Sequence, residues 1–307
     1  MSCSFNNTIF YPPKKYNSIH LGPIIVPSIL ETYYNGILIK VIDGPKYGID
    51  KNKMYNIESF RFCKSVNATD NNPAVNVFFN TLNFLKYLNT IGNVNTLLNT
   101  NLLVSIVNYD NLDNAYSTGK YLIYGNGNKF KQMVCPDIVA HEISHMITSN
   151  INQLEYKGIS GALNESFSDC LSASYEFYLY KQYPTLTGKS DFDVGEDVVK
   201  DQRKKYVRTM REPRKINDSK YIDPKNLSYD HGGVHSNSAL FNYLFYKCVM
   251  DIGLDKQDEF TKNWIEIYSF LPKNCDSLLF AKICLENIKY KWNTIIKHNL
   301  KEIGINI

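Results

Sequence analysis

Long apolar runs are missing from this chain. No stretch approaches the ~20 consecutive apolar residues that span a bilayer, so no transmembrane helix is expected. The first residues, Met1 to Asn7, show no basic region followed by an apolar core. That is no secretory signal, and it predicts cytoplasmic synthesis, with non-classical export as a possible route. The seven cysteines, at 3, 63, 135, 170, 248, 275 and 284, are odd in number and form no C-x-x-C pair. A disulfide framework is therefore not expected, and reduced thiols are. Charge of one sign is also lacking. The net charge is +4, and the basic cluster from Lys200 to Lys215 is interleaved with acids, which argues against nucleic acid as a partner. No internal repeat and no low-complexity segment is visible. What remains is an ordinary globular composition, 44% hydrophobic and 21% charged over 307 residues. That length predicts two packed lobes.

Histidine is scarce as well, yet four of the six fall in two short motifs. The first is Val139-Ala140-His141-Glu142-Ile143-Ser144-His145-Met146-Ile147. On a helix His141 and His145 share a face and can hold one metal ion, while Glu142, about 100° around, can flank it without binding. The competing reading is a pair of hydrogen-bonded core histidines. Zinc held by two imidazoles needs a third protein ligand and an open position for water. Glu165 is expected to be that ligand.

Glu165 begins a row, Glu165, Asp169 and Glu176, spaced by four and seven on one helical face. A core-facing carboxylate row is costly unless cations meet it. Zinc on Glu165, the spare N–H of His141 on Asp169 and a further ion on Glu176 would meet it; a solvated acidic face is the alternative. Asp137, Glu176, Asp191, Asp193 and Glu196 suit calcium, which takes 6–8 hard oxygen ligands, with a solvated acidic loop over 191–196 as the alternative. Downstream, Asp230-His231-Gly232-Gly233-Val234-His235 places a tight glycine turn before a helix, where Asp230 could pair with His235.

The coarse pattern is α+β. Strand signals cover 31–65, Leu102–Val107 and Lys120–Tyr124, including a run over Met54–Phe62. A helix opens at Asn72-Pro73 and ends near Gly92. Asp137–Ser149 is the histidine helix, and Ser160 is read as the cap of a second helix running to about Tyr180. A polar connection fills 181–230. Helices then follow at about 236–252, 256–269, 276–290 and 292–303. The expected division is a β-rich lobe over 1–150 and an α-helical lobe over 151–307.

These motifs together resemble the thermolysin family of neutral zinc metalloproteases. The resemblance runs from about residue 36 to the C-terminus. It is carried by Asn114-Ala115-Tyr116, Tyr121–Gly127, Asp137–His145, Tyr156, Gly161–Asp169, Glu176-Phe177-Tyr178, Asp191–Val198, Val207–Met210 and Asp230–Ser238. It implies a zinc endopeptidase with His141, His145 and Glu165 as ligands and Glu142 as general base. It implies that His235 and Tyr156 stabilise the oxyanion, with Asp230 as partner of His235. It implies a substrate clamp of Asn114, Ala115 and Arg208, and an apolar pocket of Phe130, Ile138, Val194, Val198 and Val207 for the residue after the scissile bond. It also implies structural calcium on the acidic set above. Ser117-Thr118 replaces the aromatic and Asn usual there, and Asp193 the usual Glu. The expected partner is a protein or peptide substrate, no membrane is expected, and the chain is expected to be a monomer. The alternative from another class is a catalytically inactive homologue kept as a binding or structural component.

Overall fold

The computed structural model describes residues 24–27, 29–44, 65–68, 73–109, 112–184, 190–201 and 203–307. The strand read over Met54–Phe62, the Asn72 cap, and Cys3 and Cys63 lie outside the described residues. In chain order the strands are β1 (Ile24–Pro27), β2 (Ile29–Tyr34), β3 (Ile37–Asp43), β4 (Ser65–Ala68), β5 (Leu102–Tyr109), β6 (Ala115–Ser117), β7 (Tyr121–Gly125), β8 (Asp193–Val194) and β9 (Arg208–Thr209). The helices are α1 (Pro73–Ile91), α2 (Val94–Leu98), α3 (Pro136–Ile151), α4 (Gly158–Gln182), α5 (Asp230–Ile252), α6 (Gln257–Ser269), α7 (Ser277–Asn287) and α8 (Asn293–Glu302). By contact density the chain divides into two compact units.

The first unit comprises residues 1–143, 175–191 and 195–207. Its centre is a sheet of order β2-β3-β5-β7-β6. β3, β5 and β7 run parallel, and the flanking strands β2 and β6 pair antiparallel. Strands buried on both faces read as continuous apolar runs, which is why β5 shows little alternation. One face collects Ile29, Ile42, Val104, Ile106, Tyr109, Tyr121 and Ile123. Helix α1 packs on β2, β3 and β5, and its Phe84, Leu85, Tyr87 and Leu88 are fully buried. Tyr175 joins that helix, its hydroxyl donating to the Asn80 carbonyl at 3.0 Å and its ring meeting Phe84 edge-on.

The second unit comprises residues 144–174, 192–194 and 208–307. Helices α5, α6, α7 and α8 pack around Phe241, Phe245, Phe260, Trp264, Tyr268 and Phe280, all fully buried. Each such side chain contributes about 1.5–3 kcal/mol on burial. Asp276 caps α7 by accepting from the Leu279 amide at 2.8 Å.

One reading needs correction. Ser160 is not a cap: α4 opens at Gly158, and the Ser160 hydroxyl donates back to the Lys157 carbonyl from inside the first turn. Gly158, at φ 53°, makes the entry that a Ser cap was expected to make. Within the polar connection over 181–230, β8 and β9 form an antiparallel ladder with Val194 opposite Arg208. The tight turn expected before the helix from about 236 is present, left-handed over residues 230–233.

Candidate active site

The histidine helix begins as its sequence dictates. Pro136 supplies the first helical position, where no amide hydrogen is missed, and Asp137 sits in the first turn, where the helix dipole favours an anion. Asp137 also accepts hydrogen bonds from the amides of Ile138 and Gly195. One turn on, His141 and His145 lie on the same face, and Glu165 approaches them from α4. Their ligand atoms all lie within 4.8 Å of one another. His145 Nε2 stands 3.6 Å from Glu165 Oε1. A tetrahedral ion with bonds of 2.0–2.2 Å separates its ligands by roughly 3.4 Å, so two nitrogens and a carboxylate at this spacing fit zinc.

The tautomer is arranged for that role. His145 Nδ1 lies 2.8 Å from Asn164 Oδ1, an acceptor, so the ring proton sits on Nδ1 and Nε2 presents its lone pair. Asn164 Oδ1 in turn accepts from Thr148 Oγ1 at 2.9 Å. Sequence reasoning missed Asn164 as this orienting group; its position, next to Glu165 and thus fixed by the same helix, was the available signal. His141 and Glu142 are both 6% exposed and Glu165 is 2% exposed, while the His145 side chain is 16% exposed. The Tyr124 hydroxyl is held well above its ordinary pKa, first by burial and second by the negative charge of Glu142.

Around Glu165 stands a polar group from later in the chain. Tyr156 donates its hydroxyl to Glu165 Oε1 at 2.5 Å and reaches His235 Nε2 at 3.2 Å. Asp230 Oδ1 accepts from His235 Nδ1 at 2.6 Å, while Oδ2 takes the amides of His235 and Ser236 at 3.0 and 3.2 Å. One carboxylate thus caps the regular part of α5 and orients the imidazole. Arg208 grips Asp169 through two parallel bonds, and Asn242 adds a third at 2.8 Å.

The other site residues fall as follows. Asn114 is exposed and Ala115 is buried at the start of β6, the end strand of the sheet. Asp113 steadies this stretch by accepting from the amides of Asn128, Lys129 and Phe130, bonds that hold its carboxyl below the usual range. Gly125 is required beside it, since a Cβ there would stand 1.9 Å from the Leu112 carbonyl oxygen. Phe130 bridges Val199, and Ile138 is half-buried on α3. Val194 and Val198 are 2% exposed, whereas Val207 is 44% exposed. Of the five carboxylates read as calcium ligands, Glu176, Asp191 and Glu196 gather within 4.8 Å of one another. Asp193 instead forms an ion pair with Arg211 across the β8–β9 ladder.

Comparison with known proteins places this geometry. The family description "Thermolysin metallopeptidase, catalytic domain" matches residues 42–149, and "Thermolysin metallopeptidase, alpha-helical domain" matches residues 152–269. An extracellular metalloprotease of Pectobacterium carotovorum is 28% identical over 228 residues, 67% of this chain and 64% of that protein. The zinc metalloproteinase MspA of Legionella longbeachae is 31% identical over 227 residues, 69% of this chain and 40% of that protein. In both, the match spans less than two thirds of the relative's length. Among solved structures, the precursor of protealysin, a metalloproteinase from Serratia proteamaculans, shares the fold with a TM-score of 0.71 at 21% identity, covering 90% of this chain and 89% of that one. Among the described residues no helix is long and apolar enough to cross a membrane. With both family descriptions matched in sequence order, the chain belongs to the thermolysin family of metallopeptidases.

Proposed function

We propose that this chain is a zinc-dependent endopeptidase, with a β-rich lobe over 1–150 and an α-helical lobe over 151–307. The observation that carries the reading is the convergence of His141, His145 and Glu165 within 4.8 Å, with Glu142 buried one residue along the same helix. Zinc, when held by these three side chains, polarises a carbonyl oxygen and lowers the pKa of water. Glu142 takes the proton of the attacking water and delivers it to the departing amine. His235, its Nδ1 occupied by Asp230, turns Nε2 toward the charge that develops on the carbonyl oxygen, and Tyr156 offers its hydroxyl to the same charge. Asp169 steadies both His141 and Arg208. Asn114, Ala115 and Arg208 align the peptide, the first two from the end strand of a sheet, where an extended chain can add.

The pocket assigned to Phe130, Ile138, Val194, Val198 and Val207 is apolar, which selects a bulky apolar residue after the scissile bond. Burying such a side chain is worth about 1.5–3 kcal/mol. The substrate is a protein or peptide, and the enzyme acts as a monomer. Calcium is the structural ion of this reading. Glu176, Asp191 and Glu196 would hold it beside Asp137, and Asp193 is engaged by Arg211. The alternative, an inactive homologue, draws no support from any residue, since Glu142, His235 and all three ligands are present.

The test is digestion of casein by the purified chain with and without a zinc chelator, followed by mass spectrometry of the products. Chelator-sensitive cleavage before Leu, Ile, Val or Phe is expected. No cleavage by zinc-loaded protein would overturn the reading, and cuts mostly before Asp, Lys or Gly would overturn the pocket.

A further inference from the structure

The turn that leads into α5 is left-handed at four successive residues, and two of them are not glycine. Asp230 and His231 have φ of 48° and 50°, Gly232 and Gly233 of 86° and 77°. Glycine adopts this conformation freely, whereas an L side chain crowds the neighbouring carbonyl. Both glycines are also needed for space: a Cβ at Gly232 would lie 2.4 Å from the Pro224 carbonyl oxygen, and one at Gly233 2.5 Å from Ile222 Cβ. Asn237 clamps the turn against residue 222, accepting from the Ile222 amide at 2.9 Å and donating to its carbonyl at 2.8 Å. Asp230 has an evident reason to carry a side chain in this strained place, because it orients His235. His231 has none in the chemistry proposed above.

The imidazole of His231 is nevertheless aimed. Its centroid lies 5.9 Å from that of Tyr156, with the planes at 62°. His235 meets the same phenol ring at 6.2 Å and 76°, and His145 at 6.3 Å and 78°. Tyr156 is therefore bordered by three imidazoles in edge-to-face arrangements, which have a preferred geometry beyond mere contact. Tyr156 is 43% exposed, so burial does little to select one rotamer; its bonds to Glu165 and His235 hold the hydroxyl end, and the imidazoles border the ring.

We propose that His231 is a positioning residue, whose imidazole holds the Tyr156 ring in the orientation that delivers its hydroxyl to the developing oxyanion. The left-handed backbone is what places that imidazole, so strain at His231 is tied to function. The inference rests on Tyr156 acting as an oxyanion donor.

A double-mutant cycle on peptide hydrolysis tests it, with zinc content and thermal unfolding checked for every variant. His231→Gly suits the backbone and removes only the ring; His231→Asn tolerates the same backbone and is also not aromatic. Both should keep zinc and fold, and lower kcat about 3–10-fold with little change in KM. His231→Phe, which restores a ring, should recover most of the loss. In a Tyr156→Phe background His231→Gly should have no further effect, because no hydroxyl is left to aim. An equal loss in both backgrounds, an effect on KM alone, or full activity of His231→Gly overturns the proposal. Full kcat in Tyr156→Phe alone overturns the oxyanion reading beneath it as well.

Discussion

Arg208 meets Asp169 through two nitrogens, Nε to Oδ2 at 2.7 Å and Nη2 to Oδ1 at 2.6 Å. The Asp169 side chain is fully buried and the Arg208 side chain is 29% exposed. Planar fork-to-fork bonding of this kind is the strong form of ion pair, and a lysine cannot reproduce it. Arg208→Ala would leave a buried carboxylate short of its cation, which costs on the order of 3 kcal/mol. Urea unfolding of the Arg208→Ala variant should show that loss. Asp169→Asn added to it should recover part of the stability, and failure to do so would mean the pair is not what Arg208 stabilises.

Glu142 stands one residue from His141 and outside the cluster of His141, His145 and Glu165. Glu142→Gln should keep fold and zinc while turnover falls about 10²–10⁴-fold, the usual weight of one acid–base group. Metal analysis together with casein hydrolysis checks this. Near wild-type turnover would remove Glu142 from the mechanism.

His235 takes its orientation from Asp230. Loss of one donor to a developing oxyanion lowers kcat on the order of 10²–10³-fold. His235→Ala should do so with a smaller change in KM, since the bond forms mainly in the transition state. Steady-state kinetics on a short peptide separate the two constants, and a change confined to KM would contradict the assignment.

Calcium should stabilise the chain through Glu176, Asp191 and Glu196. A ligand bound only to the native state contributes about 2.7 kcal/mol at a hundred times its Kd. Thermal unfolding of zinc-loaded Glu142→Gln protein, whose self-digestion is slowed with its turnover, should show a higher midpoint in millimolar calcium than in calcium-free buffer. Glu176→Gln should abolish the difference. Equal midpoints for the parent protein in both buffers would dispose of the calcium site.

The features legible from the sequence are those whose cause is local. His141 and His145 are one helical turn apart, and that spacing puts them on one face whatever surrounds the helix. The same holds for Glu165 and Asp169 on α4, and for the apolar periods of α5, α6 and α8. Proline at position 136 with Asp137 behind it marks a helix start by chemistry confined to one turn.

What the tertiary structure decided depends on partners far along the chain. Ser160 looks like a cap, but Gly158 enters the helix first, where a Cβ would stand 3.1 Å from the Pro224 carbonyl oxygen. Asp193 reads as one acid among five, and only the β8–β9 pairing, Asp193 opposite Thr209, brings Arg211 to it. Asn164 reads as part of a ligand motif, and only the approach of α4 to α3 makes it the acceptor that fixes the His145 tautomer. His231 reads as a loop residue until the left-handed turn sets its ring beside Tyr156. Helical periodicity is written in neighbours three and four apart, so the sequence alone determined which side chains share a face. Which charge or ring meets that face is set by chain crossings that no local pattern encodes, and those the fold alone decided.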